Sequence, residues 1–143
     1  MAIDYSESVL AKPVRKKRRN RVRSKRTRSI HRMKLDLDAI ARTEVFERDG
    51  NKCIHCPNSD RSIQWAHVLS RRHLCLRWEA DNAMTLCAGC HLFWHHEPAM
   101  AVDWFIKNFG ERWERIRRIH LVNPKISVRE LWLERCARSS SDL

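Results

Sequence analysis

The sequence predicts a small α+β domain held together by a metal site, and three observations support this fold class. Two Cys-x-x-Cys pairs, Cys53/Cys56 and Cys87/Cys90, have the spacing of metal-binding knuckles. Short apolar stretches at 62–69 and directly after Asn82 are typical of strands, and most other apolar residues recur at helical spacing. A chain of 143 residues has room for one such domain and its tails.

The positive charge of the chain is unevenly distributed. The formal net charge is +12, yet thirteen of the 29 Lys and Arg lie between Lys12 and Lys34, where no acidic residue occurs. Because like charges repel and few apolar residues are available, residues 1–34 are predicted to form a disordered basic arm. Such an arm would lie along phosphates and bind less tightly as salt rises, the alternative being a solubilising or targeting tail. The arm residues assigned to nucleic-acid binding are Arg15, Lys16, Lys17, Arg18 and Arg19.

Residues 35–97 are predicted to form the metal-containing domain. An apolar stripe from Leu37 to Phe46 predicts a helix that stops at Asp49-Gly50, just before the first cysteine pair. Residues 70–81, rich in Arg, are expected to be a polar connection between the two strands. His91 to His96 follow the second pair with helical spacing.

Residues 98–138 are predicted to be a helical extension. Pro98 is suited to the first turn of a helix, whose apolar face runs to Gly110. A second helix is expected over 111–120 and a third over 128–136, with Ser127 and Glu130 as its capping box.

The two cysteine pairs predict a structural zinc ion. Each pair can direct two thiolates at one ion, and four thiolates complete a closed tetrahedral shell around Zn²⁺. The charged N-terminus predicts no secretory signal and a cytoplasmic location, where cysteines stay reduced. The alternative to a zinc site is a chance spacing of the cysteines or a redox-active dithiol. Cys75 and Cys136 have no partner at ligand spacing and are expected to be free thiols.

Histidines lie in a defined order between and after the knuckles. His67 ends the first predicted strand, Asn82 precedes the second, and His91 directly follows the last cysteine. His91 and His95 are four residues apart on a predicted helix, so their imidazoles project from one face toward one point. This spacing is typical of a pair of metal ligands.

With this order of residues the sequence resembles the HNH endonuclease family, zinc-knuckle type, over roughly residues 37–97. The stretches that carry the resemblance are RDGNKCIHC at 48–56, AHV at 66–68, DN at 81–82 and LCAGCH at 86–91. Residues 67–72 and 77–82 also look like those of phage-encoded recombination nucleases of this family. The resemblance implies a ββα-metal core with flanking helices.

The resemblance also implies a function, metal-dependent hydrolysis of DNA, and a role for each residue. His67 would be the general base that activates water, and Asn82 would hold the loop between the strands and orient His67. His91 and His95 would bind a catalytic divalent ion, separate from the structural zinc. The catalytic ion could be Zn²⁺, Mn²⁺ or Ni²⁺, which imidazole ligands suit, as well as Mg²⁺, which prefers oxygen ligands.

One position departs from the family pattern. Many members place an acidic residue or a histidine directly before the general base, and here that residue is Ala66. The catalytic ion would then have only His91 and His95 from the protein, unless another residue contributes. The candidates for that contribution are Gln64, His96 and Glu97.

The predicted partner is DNA, and no stretch is apolar enough to suggest a membrane. Arg71, Arg72 and Arg77 lie between His67 and Asn82, where a phosphate would pass, although a solvated loop is the alternative. Paired strand breaks would need two sites, which a homodimer or a larger phage assembly would supply. The rival hypothesis is a non-catalytic zinc module that binds nucleic acid, and an RNA-binding zinc protein rests only on the basic arm.

Overall fold

The structure is a computed structural model and describes residues 28–56 and 62–139. It combines helices with one small two-stranded sheet, which confirms the predicted α+β class. The elements are α1 (Ile30–Arg48), β1 (Ile63–His67), α2 (Leu74–Arg77), β2 (Ala83–Cys87), α3 (Ala88–His96), α4 (Pro98–Val122) and α5 (Val128–Ser139). Residues 1–27, which include the five basic residues assigned to nucleic-acid binding, lie outside the described residues.

The sheet is antiparallel, and its two ends carry different residues of the predicted site. Ile63 pairs with Cys87 at one end, and His67 pairs with Ala83 at the other. All five residues of β2 are buried, whereas β1 has one buried residue, Ala66. Helix α1 contacts both strands, and α3 follows β2 without a loop and packs back on both. The order β1, β2, α3 therefore folds into one compact unit.

The described residues form two apolar clusters. The larger joins the sheet, α2, α3 and α4, and its largest fully buried side chains include Phe105, Leu76, Met84, Leu86 and Ile116. The smaller joins α1 to α5 through Met33, Leu37, Ala41, Trp78 and Val128. Helix α5 thus covers the face of α1 that the sheet leaves open.

Helix α1 begins earlier than the charge pattern suggests. The Ser29 hydroxyl caps it by accepting the backbone N–H of Arg32 (3.2 Å), so residues 30–34, assigned to the arm, are helical. Met33 is only 3% exposed and lies in one cluster with Leu37. Burial of one apolar side chain per turn outweighs the repulsion among exposed basic side chains, which project to the other face.

The sequence suggested that the connection between the strands is a polar loop, but the structure shows that part of it is helical and buried. It contains the short helix α2 and a 3₁₀ turn at Ala80–Asn82. Cys75, Leu76 and Trp78 are buried in it. These three apolar residues stand among Arg, His and Glu without a regular period, so periodicity alone could not reveal that the segment folds inward.

The two helices expected over 98–110 and 111–120 meet at a kink inside α4. The backbone is non-helical at Phe109 (φ −138°, ψ 44°), next to the boundary predicted at Gly110. One of the two bonds of the capping box predicted for α5 is present: the backbone N–H of Glu130 donates to the Ser127 hydroxyl (3.4 Å). In the described part of the chain no helix, α4 included, has the length and apolar content of a membrane span.

Candidate metal centre and histidine cleft

The four cysteines that were predicted to bind zinc lie close together and could hold one metal ion. One Sγ atom from each of Cys53, Cys56, Cys87 and Cys90 lies within 4.8 Å of the others, and Cys56 Sγ is 3.7 Å from Cys87 Sγ. A tetrahedral ion with Zn–S bonds near 2.3 Å would separate its sulfurs by about 3.8 Å. The group therefore fits structural zinc or a similar metal, as the cysteine spacing predicted.

Local backbone geometry explains why the cysteines converge. Gly50 has a positive φ (66°) after α1, and the backbone N–H of Ile54 donates to the Thr85 carbonyl (3.0 Å), which pins the first knuckle to β2. The second knuckle is the junction of β2 and α3. There the backbone N–H of Cys90 donates to Cys87 Sγ (3.5 Å). This bond, together with contacts from the neighbouring cysteine thiols, lowers the pKa of Cys87 to about 7, so its thiolate is readily formed at neutral pH.

Asn82 is fully buried and ties together the connection between the strands. Its Oδ1 accepts the backbone N–H of Leu69 (2.8 Å), and its Nδ2 donates to the carbonyls of Leu69 (2.9 Å) and Leu76 (3.0 Å). The Asn82 carbonyl also accepts the N–H of Val68 (2.8 Å). An amide side chain offers one acceptor and two donors, and here each has a backbone partner. Asn82 therefore fixes the segment that follows His67.

Replacing Asn82 with alanine is expected to lower the free energy of unfolding by about 2–4 kcal/mol, because three backbone groups lose their partners inside the protein. Urea unfolding of the zinc-loaded chain measures this. Asn108→Ala is the matched control, since the Asn108 amide is exposed and donates to the Trp104 carbonyl of its own helix. An unfolding midpoint for Asn82→Ala equal to that of the control would contradict this role.

His91 and His95 present their imidazoles to one point, as expected from their spacing on α3. Their Nε2 atoms are 3.1 Å apart. The Nδ1 of His91 is 2.5 Å from Gln64 Oε1, which can only accept, so Nδ1 carries the proton and Nε2 keeps its lone pair. This outer hydrogen bond is typical of metal-binding histidines. Burial lowers the pKa of His91, and the neighbouring His95 lowers it further, which favours the neutral, ligating form.

The remaining ligand candidates differ in their positions. Ala66 is 1% exposed and packs in the core, so it leaves no ligand before His67. Gln64 bonds to His91 at the nitrogen away from His95, and His96 and Glu97 are exposed outside the cleft lining. Within the described residues, no third His, Cys, Asp or Glu joins His91 and His95 at ligand distance.

His67 is held in one orientation by the backbone. Its Nε2 lies 3.0 Å from the carbonyl oxygen of Arg77, which accepts a hydrogen bond and cannot donate one. Nε2 is therefore the protonated nitrogen of the neutral ring, and Nδ1 has the free lone pair. Burial lowers the pKa of His67 and the cation of Arg71 lowers it further, against the opposing effect of the carbonyl. The ring is neutral at neutral pH.

These histidines line one cleft of about 560 Å³. His67 enters it from the end of β1, and His91 and His95 enter it from α3. Trp65 and Arg71 lie on its wall, and the ring of Trp65 is 4.3 Å from that of His67 (centroid to centroid). The cleft thus combines a neutral imidazole, a pair of imidazoles that could hold a metal ion and a cation, which are the kinds of groups that reactions at phosphate use.

The three arginines of the connection have different environments. Arg71 lines the cleft, and Arg72 is exposed outside its lining. Arg77, predicted to contact phosphate, has its guanidinium in a bidentate ion pair with Asp38 of α1 (2.9 and 2.7 Å). A buried carboxylate needs a counter-charge, and Arg77 supplies it.

Two residues of this site were missed by sequence reasoning. Asp38 lies on the apolar stripe of α1, where an acidic residue among Leu37 and Ala41 was the available signal. His55, for which the sequence predicts no role, has its Nδ1 3.3 Å from Cys90 Sγ and is therefore an outer neighbour of the cysteine group. Its position inside the first Cys-x-x-Cys pair was the signal.

Comparison with known proteins gives no relative of this chain: no protein-family model, no curated protein and no solved structure matches it.

Proposed function

We propose that the chain is a metal-dependent endonuclease of the HNH type, with a ββα-metal core, that hydrolyses phosphodiester bonds in DNA. The observation that carries this proposal is the single cleft that joins His67, His91, His95 and Arg71. The sequential order β1, β2, α3, with the cysteine group at one end of the sheet and His67 at the other, also supports it.

His67 is the proposed general base. Its Nδ1 takes a proton from water as the water oxygen attacks phosphorus, and the bond from phosphorus to the leaving sugar oxygen breaks. The Nε2–H stays hydrogen-bonded to the Arg77 carbonyl throughout the reaction, so the ring keeps its orientation as it becomes positively charged. Arg71 lies where its guanidinium can hold a phosphate oxygen in the cleft.

His91 and His95 are the proposed ligands of the catalytic ion. Nitrogen ligands at bond lengths near 2.0–2.1 Å on one ion lie about 3 Å apart, which agrees with the 3.1 Å between the two Nε2 atoms. A divalent ion bound there would stabilise the negative charge that develops on the phosphate and the leaving oxygen. Zn²⁺ in the cysteine group has a structural role in this proposal, since four thiolates leave no open position.

Cleavage of supercoiled plasmid tests the proposal. The zinc-loaded chain is expected to nick the plasmid with Mg²⁺, Mn²⁺ or Ni²⁺, and the double variant His91→Ala/His95→Ala is expected to lose at least about 100-fold in rate. His96→Ala, an exposed neighbour on α3 outside the cleft lining, is the matched control and should cleave normally. Failure of the wild-type chain with all three metals would contradict the proposal.

A non-catalytic zinc module that binds nucleic acid is the competing candidate, and the buried Ala66 is the observation in its favour. Metal titration separates the two. After one zinc ion is bound, the nuclease should bind a second divalent ion more weakly, and His91→Ala/His95→Ala should abolish that second event. Binding of a single ion by both proteins would favour the accessory module.

The basic segment before α1 is expected to set the salt dependence of DNA binding. Because α1 begins at Ile30 and Met33 is buried, the truncation should remove residues 1–27 rather than 1–34. Its loss is expected to weaken binding and to flatten the plot of log affinity against log salt, because fewer counterions are released. Fluorescence anisotropy with a duplex oligonucleotide measures both, and an unchanged slope would contradict the expectation.

A further inference from the structure

Asp38 is a carboxylate of α1 that the proposed reaction does not use directly, and it is 9% exposed. Three hydrogen bonds reach it from the connection between the strands. The Nε and Nη2 atoms of Arg77 donate to Oδ1 (2.9 Å) and Oδ2 (2.7 Å), and the indole N–H of Trp78 donates to Oδ1 (2.8 Å). Asp38 therefore holds two consecutive residues of that connection.

One of those two residues also holds the proposed general base. The carbonyl oxygen of Arg77 accepts the Nε2–H of His67 at 3.0 Å. A continuous path thus leads from the α1 carboxylate through the Arg77 side chain and backbone to the imidazole. A carbonyl orients a ring only if its peptide is itself fixed, and Asp38 fixes this peptide from both sides.

We infer that Asp38 and Arg77 form a positioning pair that sets the orientation of His67 in the cleft. This inference rests on the proposed function. It gives α1 a role in the site, although Asp38 is far from Arg77 and His67 in the sequence. A merely structural ion pair would affect stability alone. A positioning pair must also affect the His67 ring and the turnover number.

The test uses the zinc-loaded full chain and two substitutions, Asp38→Asn and Arg77→Gln. Asp38→Asn keeps the shape of the side chain but removes its charge, and Arg77→Gln shortens the partner, whose side chain is 20% exposed. Glu44→Gln is the matched control, because Glu44 also lies on α1 and pairs with an arginine of another element, Arg135 (2.7 Å).

The first readout is the Nε2–H proton of His67 in spectra of ¹⁵N-histidine-labelled protein, assigned by its absence in His67→Gln. In the wild type and in Glu44→Gln, the hydrogen bond to the carbonyl should slow exchange with water enough to give a resolved signal. In Asp38→Asn and Arg77→Gln the signal should broaden beyond detection. The second readout is plasmid cleavage, where kcat should fall about 10- to 100-fold with KM within about twofold.

The outcomes separate the inference from the proposed function. A retained His67 signal and wild-type kcat in Arg77→Gln would overturn the inference, even if Asp38→Asn does not fold. Loss of the signal in Arg77→Gln with wild-type kcat would also overturn it. A wild-type chain that never cleaves DNA would refute the nuclease proposal, and the N–H signal would still report whether the pair fixes the ring.

Discussion

Replacing His67 with alanine is expected to lower kcat for DNA cleavage about 10³-fold, because a positioned general base contributes roughly 10²–10⁴-fold. In the proposed mechanism the Nδ1 of His67 accepts the proton, since Nε2 is bonded to the Arg77 carbonyl, and alanine offers no substitute. Single-turnover cleavage at saturating metal measures the loss. Zinc content and DNA affinity should stay at wild-type values, since His67 belongs to neither the cysteine group nor the basic segment.

His96→Ala is the control for this experiment, because that imidazole is exposed on α3 and lies outside the cleft lining. It should cleave at the wild-type rate. Equal rates for His67→Ala and the wild-type chain would show that His67 is not the general base. They would also contradict the assignment of the cleft as the active site.

The same residue predicts the pH dependence of cleavage. Burial lowers the pKa of His67 below its usual value of 6.5, so the base is neutral and competent at neutral pH and becomes protonated only on acidification. The plot of kcat/KM against pH should be flat near pH 7 and fall through a midpoint below 6.5. Removing the nearby cation in Arg71→Ala should raise that midpoint, whereas Arg72→Ala should leave it unchanged. A midpoint that stays in place in Arg71→Ala would contradict the electrostatic part of this expectation.

Removal of metal from the four-cysteine group is expected to unfold the domain that carries the cleft. The cysteines come from the segment after α1 and from the junction of β2 with α3, so an ion bound by all four would join parts of the chain that share one apolar cluster. Structural zinc contributes on the order of 10 kcal/mol to folding in small domains, more than a protein of this size can spare. Cys87→Ser should abolish stoichiometric zinc binding and the cooperative thermal transition.

Elemental analysis and circular dichroism measure these two effects. Cys136→Ser is the matched control, since Cys136 is half-buried on α5 and lies outside the four-cysteine group. It should bind one structural zinc ion per chain and unfold cooperatively. Retention of zinc and of the cooperative transition by Cys87→Ser would show that these thiols do not form the metal site.

Local signals in the sequence predicted much of the fold. Helix spacing, the stop at Asp49-Gly50 and the cap at Ser127 located α1 and α5, and short apolar stretches located both strands. The extent of α1 was underestimated because charge density is a local measure, while Met33 is buried by contacts with residues far along the chain. The break predicted near Gly110 is present as a kink at Phe109, which divides α4 into two helical parts.

The features of the site likewise divide into those that spacing in the sequence predicted and those that only the tertiary structure revealed. Spacing alone determined the cysteine group and the His91–His95 pair, because a knuckle and one helical turn are geometries that a few residues fix by themselves. Only the tertiary structure decided what surrounds them: that Arg77 faces Asp38, that the Arg77 carbonyl selects the tautomer of His67, and that Gln64 orients His91. These contacts join elements up to 39 residues apart, and a hydrogen bond depends on distance and direction in space, which no local pattern in the sequence encodes.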